Sequence, residues 1–182
     1  MKRITTYASF VFVLALMSGC GGRAGVTAPV ITALATSFEP VDVAPNTTDF
    51  TLGTAPDSAH FTGGIVLTVG NPVAYRTGLY AWAILNQGTV GTIDFDNPAS
   101  LVSFYAINLF GGTSVVDVFD QADVNVGSVT ITGTDMMNNN SFVTLIPADF
   151  GAVAIGKLTV TNLSAGGNQV WIDDFSSLQP MP

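Results

Sequence analysis

Apolar and polar residues alternate along most of this chain, and the pattern changes character only near its start. From Ile4 to Met17 the residues are uncharged and follow two cations, Lys2 and Arg3. The run is shorter than the roughly 20 apolar residues a bilayer-spanning helix needs. It ends in Ser18-Gly19 just ahead of Cys20, a layout that predicts an export signal helix over residues 1–19. Beyond it, short stretches rich in Val, Ile, Thr and aromatic residues predict strands at Val30 to Thr36, Asp49 to Leu52, His60 to Val69, Leu79 to Leu85, Thr89 to Phe95 and Ser100 to Leu109. Further strands are predicted at Ser114 to Phe119, Val124 to Thr132, Phe142 to Ile146, Val153 to Thr161 and Gln169 to Phe175. Turn chemistry separates them: Gly63-Gly64, Gln87-Gly88, Asp96-Asn97-Pro98, Gly111-Gly112, Asp120 to Asp123, Pro147 to Gly151 and Ser164 to Gly167. No stretch after the signal keeps apolar residues at helical spacing over three turns.

Roughly eight to eleven short strands at this spacing predict an all-β fold, an antiparallel β-sandwich or jelly roll. Two strands matter most for function. Leu79 to Leu85 places Leu79, Ala81, Ala83 and Leu85 on one face and Tyr80, Trp82 and Ile84 on the other. Neither face is polar, so this strand is either covered on both sides or lies under a binding surface. In the longest candidate, Val102, Phe104 and Ala106 share one face, and Leu101, Ser103, Tyr105 and Ile107 share the other.

Charge narrows the partners. Once the signal is removed, three cations (Arg23, Arg76 and Lys157) remain against thirteen acids, a formal charge of −10. Such a chain cannot neutralise phosphates, which excludes nucleic acid as a partner and excludes docking on anionic headgroups. The acids are all Asp except Glu39, a skew that suits turns and oxygen-ligand cation sites. The domain organisation expected is a signal peptide at 1–19, Cys20 with a tether to residue 28, one domain over 29–178, and a short tail at 179–182.

Leu16-Met17-Ser18-Gly19-Cys20 resembles a bacterial lipoprotein box, with Met17 where Leu is commonest. The resemblance implies that Cys20 is acylated and becomes the first mature residue. The membrane is then a partner through that lipid, and the protein belongs to the cell envelope. Gly21 is compatible with outer-membrane sorting if the cell is Gram-negative. Gln169-Val-Trp-Ile-Asp-Asp-Phe-Ser-Ser-Leu178 resembles the last strand of galactose-binding-like jelly rolls, the fold of many carbohydrate-binding modules, and Ser37-Phe38-Glu39 resembles its opening segment. Residues 91–105 and 115–127 are similar to the central strands of exported PEP-CTERM-type proteins. The sorting tail of that group is not seen after Gln179-Pro-Met-Pro182, so the lipid is expected to be the anchor.

The resemblance implies a structural Ca²⁺ held by Glu39 with Asp173 or Asp174, clamping the first and last strands. Alternation sets Val170, Ile172 and Asp174 on one face and Trp171, Asp173 and Phe175 on the other. The two Asp residues can therefore share a side only across a bulge. The competing reading makes one Asp a turn cap and leaves the other solvated. The resemblance also implies glycan binding, for which Tyr75, Tyr80, Trp82, Tyr105 and Trp171 supply rings able to stack on a sugar. Tyr75, Arg76, Tyr80 and Trp82 are the foremost candidates, with Tyr75 and Arg76 in a loop after Asn71-Pro72. In a sandwich, the same rings also serve as core. His60 is the only histidine, so zinc and Ser-His-Asp chemistry lack parts, and no catalytic residues are assigned. The function expected is a non-catalytic binding module for polysaccharide. The alternative is a structural or protein-interaction component of the envelope or matrix that binds no sugar.

Overall fold

The computed structural model describes residues 31–68, 79–108, 112–132, 140–165 and 169–180. The expected signal at residues 1–19, Cys20, Tyr75 and Arg76 lie outside the described residues. Among the described residues, twelve strands run in chain order: β1 (Ile31–Thr36), β2 (Phe50–Thr54), β3 (Asp57–Thr62), β4 (Ile65–Thr68), β5 (Tyr80–Ile84), β6 (Val90–Ala99), β7 (Leu101–Asn108), β8 (Thr113–Phe119), β9 (Asn125–Thr132), β10 (Asn140–Leu145), β11 (Ile155–Asn162) and β12 (Val170–Pro180). A 3-10 turn spans Pro147–Phe150.

Two antiparallel sheets form the sandwich. The first has the order β10-β7-β12-β5-β4, with β1 also paired to β12, and the second has the order β2-β3-β6-β11-β8-β9. The run at residues 60–69 is interrupted at Gly63-Gly64, as its turn chemistry predicts, and the strands on either side join different sheets. Close approach explains why glycine stands at position 64. A Cβ there would meet the Trp82 indole at 2.4 Å, and one at Gly91 would meet it at 2.6 Å.

That indole sits at the heart of the core. Phe61 has Trp82, Phe175 and Phe38 edge-on around it at 5.2, 5.0 and 5.9 Å and stacks on Phe50 at 4.6 Å. Edge-to-face contacts of this kind add to the area each ring buries. Ile84, Ile93, Phe104, Ile155, Leu158 and Ile172 complete the interior.

Three expectations are corrected. Asp96-Asn97-Pro98 is strand and not turn, because its side chains are tied to β3: Asn97 Nδ2 donates to Asp57 Oδ1 at 3.0 Å, and Asp96 bonds Ser58 and His60. The chain turns at Ser100 instead. β12 does not stop at Phe175, and positions 179 and 180 are not tail, since Gln179 and Pro180 pair with Thr32 and Ile31 of β1. Phe175 does not share a face with Trp171. The register of β12 shifts between Asp173 and Ser176, Asp174 adopts φ 48°, and the bulge turns Phe175 into the core.

Candidate functional site

The face of the first sheet that points away from the core carries the chemistry. It is organised in three rows, each running across strands. In the first row, Ile107 of β7 pairs with Trp171 of β12, Trp171 with Ala83 of β5, and Ala83 with Ile65 of β4. This row belongs to a second apolar cluster, in which Ala81, Ala83, Ile107 and Trp171 are buried and Ile65, Leu67 and Leu85 pack against them. In the second row, Phe142 of β10 stands opposite Tyr105 of β7, which stands opposite Asp173 of β12. In the third, Thr144, Ser103 and Ser176 stand abreast, and the two serine hydroxyls hydrogen-bond at 2.8 Å.

Tyr105 and Phe142 are the rings this face offers. Their centroids lie 4.9 Å apart with the planes tilted by 49°. Phe142 is 58% exposed although it is a large apolar residue, and Thr144 beside it is exposed too. Asp173 is fully buried, and its Oδ1 accepts the Asp174 N–H at 2.8 Å within the bulge. It braces the β12 end of the ring row.

The other predicted residues fare differently. Trp82 is fully buried between the sheets, where no sugar can reach it, so its assignment to a binding surface is overturned. Tyr80 packs partly buried against the same core, on the Trp82 face of β5. Both faces of β5 are apolar, and the bulkier one went inside.

The ends of the domain do meet: Thr36 pairs with Phe175 across β1 and β12. Glu39, three residues on, spends its carboxylate on backbone. Oε1 accepts the N–H groups of Leu79 and Tyr80 at 2.6 and 3.1 Å and so fixes the entry to β5. Among the described residues, no three of His, Cys, Asp and Glu converge as a metal-binding group.

The outward face of the second sheet holds a hydrogen-bonded chain that sequence spacing does not reveal. Thr51 Oγ1 bonds His60 Nδ1 at 2.9 Å, and His60 Nε2 bonds Asp96 Oδ1 at 2.9 Å. Ser58 Oγ donates to Asp96 Oδ2. The hydroxyl bond from Ser58, then that of the His60 ring, holds the Asp96 carboxyl below its ordinary value of 3.8. The partners that His60 lacks in sequence arrive from neighbouring strands. They lie on an exposed sheet surface, where they tie β2, β3 and β6 together.

No family model matches this chain, and no curated protein does. Among solved structures, it is similar to the K2 cleaved adhesin domain of Lys-gingipain, with a TM-score of 0.48 and 12% identity over 80% of this chain and 99% of that one. It is similar to a family 61 carbohydrate-binding module in complex with β-1,4-galactotriose, with a TM-score of 0.47 and 16% identity over 70% and 90%. A family 29 carbohydrate-binding module complexed with mannohexaose gives a TM-score of 0.41 and 11% identity over 84% and 93%. The likeness is one of β-sandwich architecture.

Proposed function

We propose that this protein is a non-catalytic glycan-binding module and that the outward face of the first sheet is its binding surface. One observation carries the reading: Phe142 stands exposed beside Tyr105, the two rings in direct contact and flanked by the hydroxyl row of Thr144, Ser103 and Ser176. An exposed ring pair presents its apolar faces to the C–H side of a pyranose, while Thr144, Ser176 and the Tyr105 phenol exchange hydrogen bonds with sugar hydroxyls. The tilt between the rings suits a glycan chain that twists from one residue to the next. The proposal rests on this face and not on likeness of fold.

We place the module outside the cytoplasm, exported by residues 1–19 and held to the envelope by lipid on Cys20. The charge pattern and the Leu16 to Cys20 junction support this. Mass spectrometry of the mature chain checks it, and Cys20→Ala is expected to release the protein from the membrane fraction.

Binding is tested by retention on insoluble polysaccharides and by a glycan array. Phe142→Ala and Tyr105→Ala are each expected to weaken binding about tenfold, the loss of one stacking contact. Wild-type retention that neither substitution changes would reject the ring pair. A chain that retains no glycan at all, but captures an envelope protein through the same face, would favour the structural reading, which the buried apolar row around Trp171 also fits.

A further inference from the structure

One half of the first sheet's outward face is closed, because Ile107, Trp171 and Ala83 are buried there. The other half is open at both margins: Phe142 and Thr144 on β10 are exposed, and so are Ala33 and Ala35 on β1. Between those margins the side chains are graded by size. Ser176 of β12 stands opposite Ser103 of β7 on one side and Ala35 of β1 on the other, and Thr144 of β10 stands beyond Ser103. Small side chains therefore run unbroken across four strands. Larger ones flank them, Phe142 with Tyr105 in the row on one side and Leu101 with Leu178 in the row on the other. Rows two residues apart on every strand, alternately large and small, make a shallow trough at right angles to the strands. It spans three interstrand spacings, about 14 Å. Its ends, Thr144 and Ala35, are exposed, so it is open at both. Charge is distributed as unevenly as size. Among the described residues Lys157 is the one Lys or Arg, and it lies on β11 of the second sheet, bonded to Asp123. None of the side chains that floor or flank the trough is charged. The charged residues adjoining it on β12 are acids, Asp173 opposite Tyr105 and Asp174 next to it.

We infer that the ligand of this face is an uncharged polysaccharide, held by an internal segment of its chain that lies across the strands from Thr144 to Ala35. Sugar rings rest against Phe142 and Tyr105, and their hydroxyls lie over Thr144, Ser103 and Ser176. The inference rests on the glycan reading above and gives it a substrate class. A uronate or sulfated polymer brings repeated negative charge to a trough without a cation, beside Asp173 and Asp174, on a chain that carries −8 overall. Like charges on the two partners slow encounter and weaken the complex, whereas a neutral polymer meets no such opposition. A site for the end of a glycan closes around its last sugar as a pocket does. A trough open at both ends lets the chain continue past it on either side. Its length also sets it apart from a site for one sugar, because rings at one end and Ala35 at the other are separated by the width of β7 and β12.

Retention of the purified protein on neutral polysaccharides (cellulose, xylan, galactan) and acidic ones (polygalacturonate, alginate), at low and high salt, tests the class. Retention is expected on neutral polymers alone and is expected not to change with salt, because no ion pair forms. Calorimetry with oligosaccharides of the retained polymer is expected to show affinity rising at least about tenfold from disaccharide to hexasaccharide. Two substitutions on β1 test the placement. Ala35→Ile fills the floor at the end away from the rings and is expected to lower hexasaccharide affinity at least about tenfold, with disaccharide affinity unchanged. Ala33→Ile, two residues along the same exposed strand and outside the floor, is expected to change neither. Both positions are exposed in a strand, where a β-branched residue is well accommodated, so both variants are expected to melt no lower than the wild type. An acidic polymer retained at low salt as firmly as the neutral ones would overturn the inference. So would hexasaccharide affinity indifferent to Ala35→Ile, or lowered equally by Ala33→Ile. Either result leaves the glycan reading in place as long as Phe142→Ala still weakens retention. A protein that retains no polysaccharide, neutral or acidic, would remove the glycan reading and this inference with it.

Discussion

The outward faces of the two sheets are built on opposite principles. On the second sheet, Ser128, Asp117, Thr159, Thr92 and Thr62 stand abreast in one row, and Phe119, Lys157, Asp94, His60 and Thr51 in the next. Apart from Phe119, over whose ring Lys157 lies, those rows hold polar and charged side chains, as expected of a sheet with one face in water. On the first sheet the corresponding positions hold Ala83, Trp171, Ile107, Tyr105 and Phe142, and the first three are buried. A strand that needed only to face solvent would not spend a Trp and an Ile there. The difference identifies the first sheet as the one whose outer face makes contacts of its own, and its aromatic margin at β10 as the part left open.

The sharpest way to break this comparison is to truncate matching positions on the two faces. Trp171→Ala removes a side chain that is 5% exposed and is expected to destabilise the domain by about 3–5 kcal/mol. Thr159→Ala, central on the outer face of the second sheet, is expected to stay within about 0.5 kcal/mol of wild type. Urea unfolding midpoints at constant m-value measure both. Equal losses would mean that the two faces are not energetically distinct.

Much of this contrast is legible in the sequence, and where legibility stops has a physical cause. Period-two alternation in β5 and β7 separates the faces correctly, down to Val102, Phe104 and Ala106 inside and Tyr105 and Ile107 outside. Alternation divides a strand without saying which half is the interior. With Ala81 and Ala83 opposed to Trp82 and Ile84, both halves of β5 are apolar, and Trp82 read equally well as a surface ring. Phe175 is displaced by a bulge that no spacing rule predicts, although an Asp-Asp pair tolerates the left-handed backbone Asp174 adopts. Nothing in the sequence distinguishes Phe142, because a phenylalanine alone carries no polar handle. Its meaning comes from standing opposite Tyr105 in a register that only the fold supplies. The same holds for His60, whose partners Thr51 and Asp96 are contributed by strands on either side.

Glu39 sharpens the comparison at an intermediate scale, because it holds β5, the strand apolar on both faces, at its entry. Glu39→Ala leaves the Leu79 and Tyr80 amides without their acceptor and is expected to cost about 1–2 kcal/mol, tempered by access of water to this partly exposed group. Calcium discriminates between two roles for the carboxylate. If amide binding is its whole function, the melting temperature of the wild type does not respond to Ca²⁺. A rise on adding Ca²⁺ that disappears in Glu39→Ala would restore the metal clamp between the chain ends.

The smallest effect belongs to the solvated face, and its sign is fixed by Asp96. Hydrogen bonds from Ser58 and His60 favour the ionised carboxylate, so the folded value lies below the ordinary 3.8. The unfolded chain then binds a proton more readily than the folded one over that interval. The contribution to stability is therefore complete above about pH 4 and declines as pH falls through the lowered folded value. Because Asp96 is largely solvated, water and salt screen the pair, and the expected change is a shallow step in melting temperature. Asp96→Asn is expected to flatten that step between pH 5 and pH 3, judged against the profile of the wild type. An unchanged profile would show that the Ser58, His60 and Asp96 bonds do not hold β3 to β6 in solution, and the second sheet would then owe its cohesion to backbone pairing and its buried face alone.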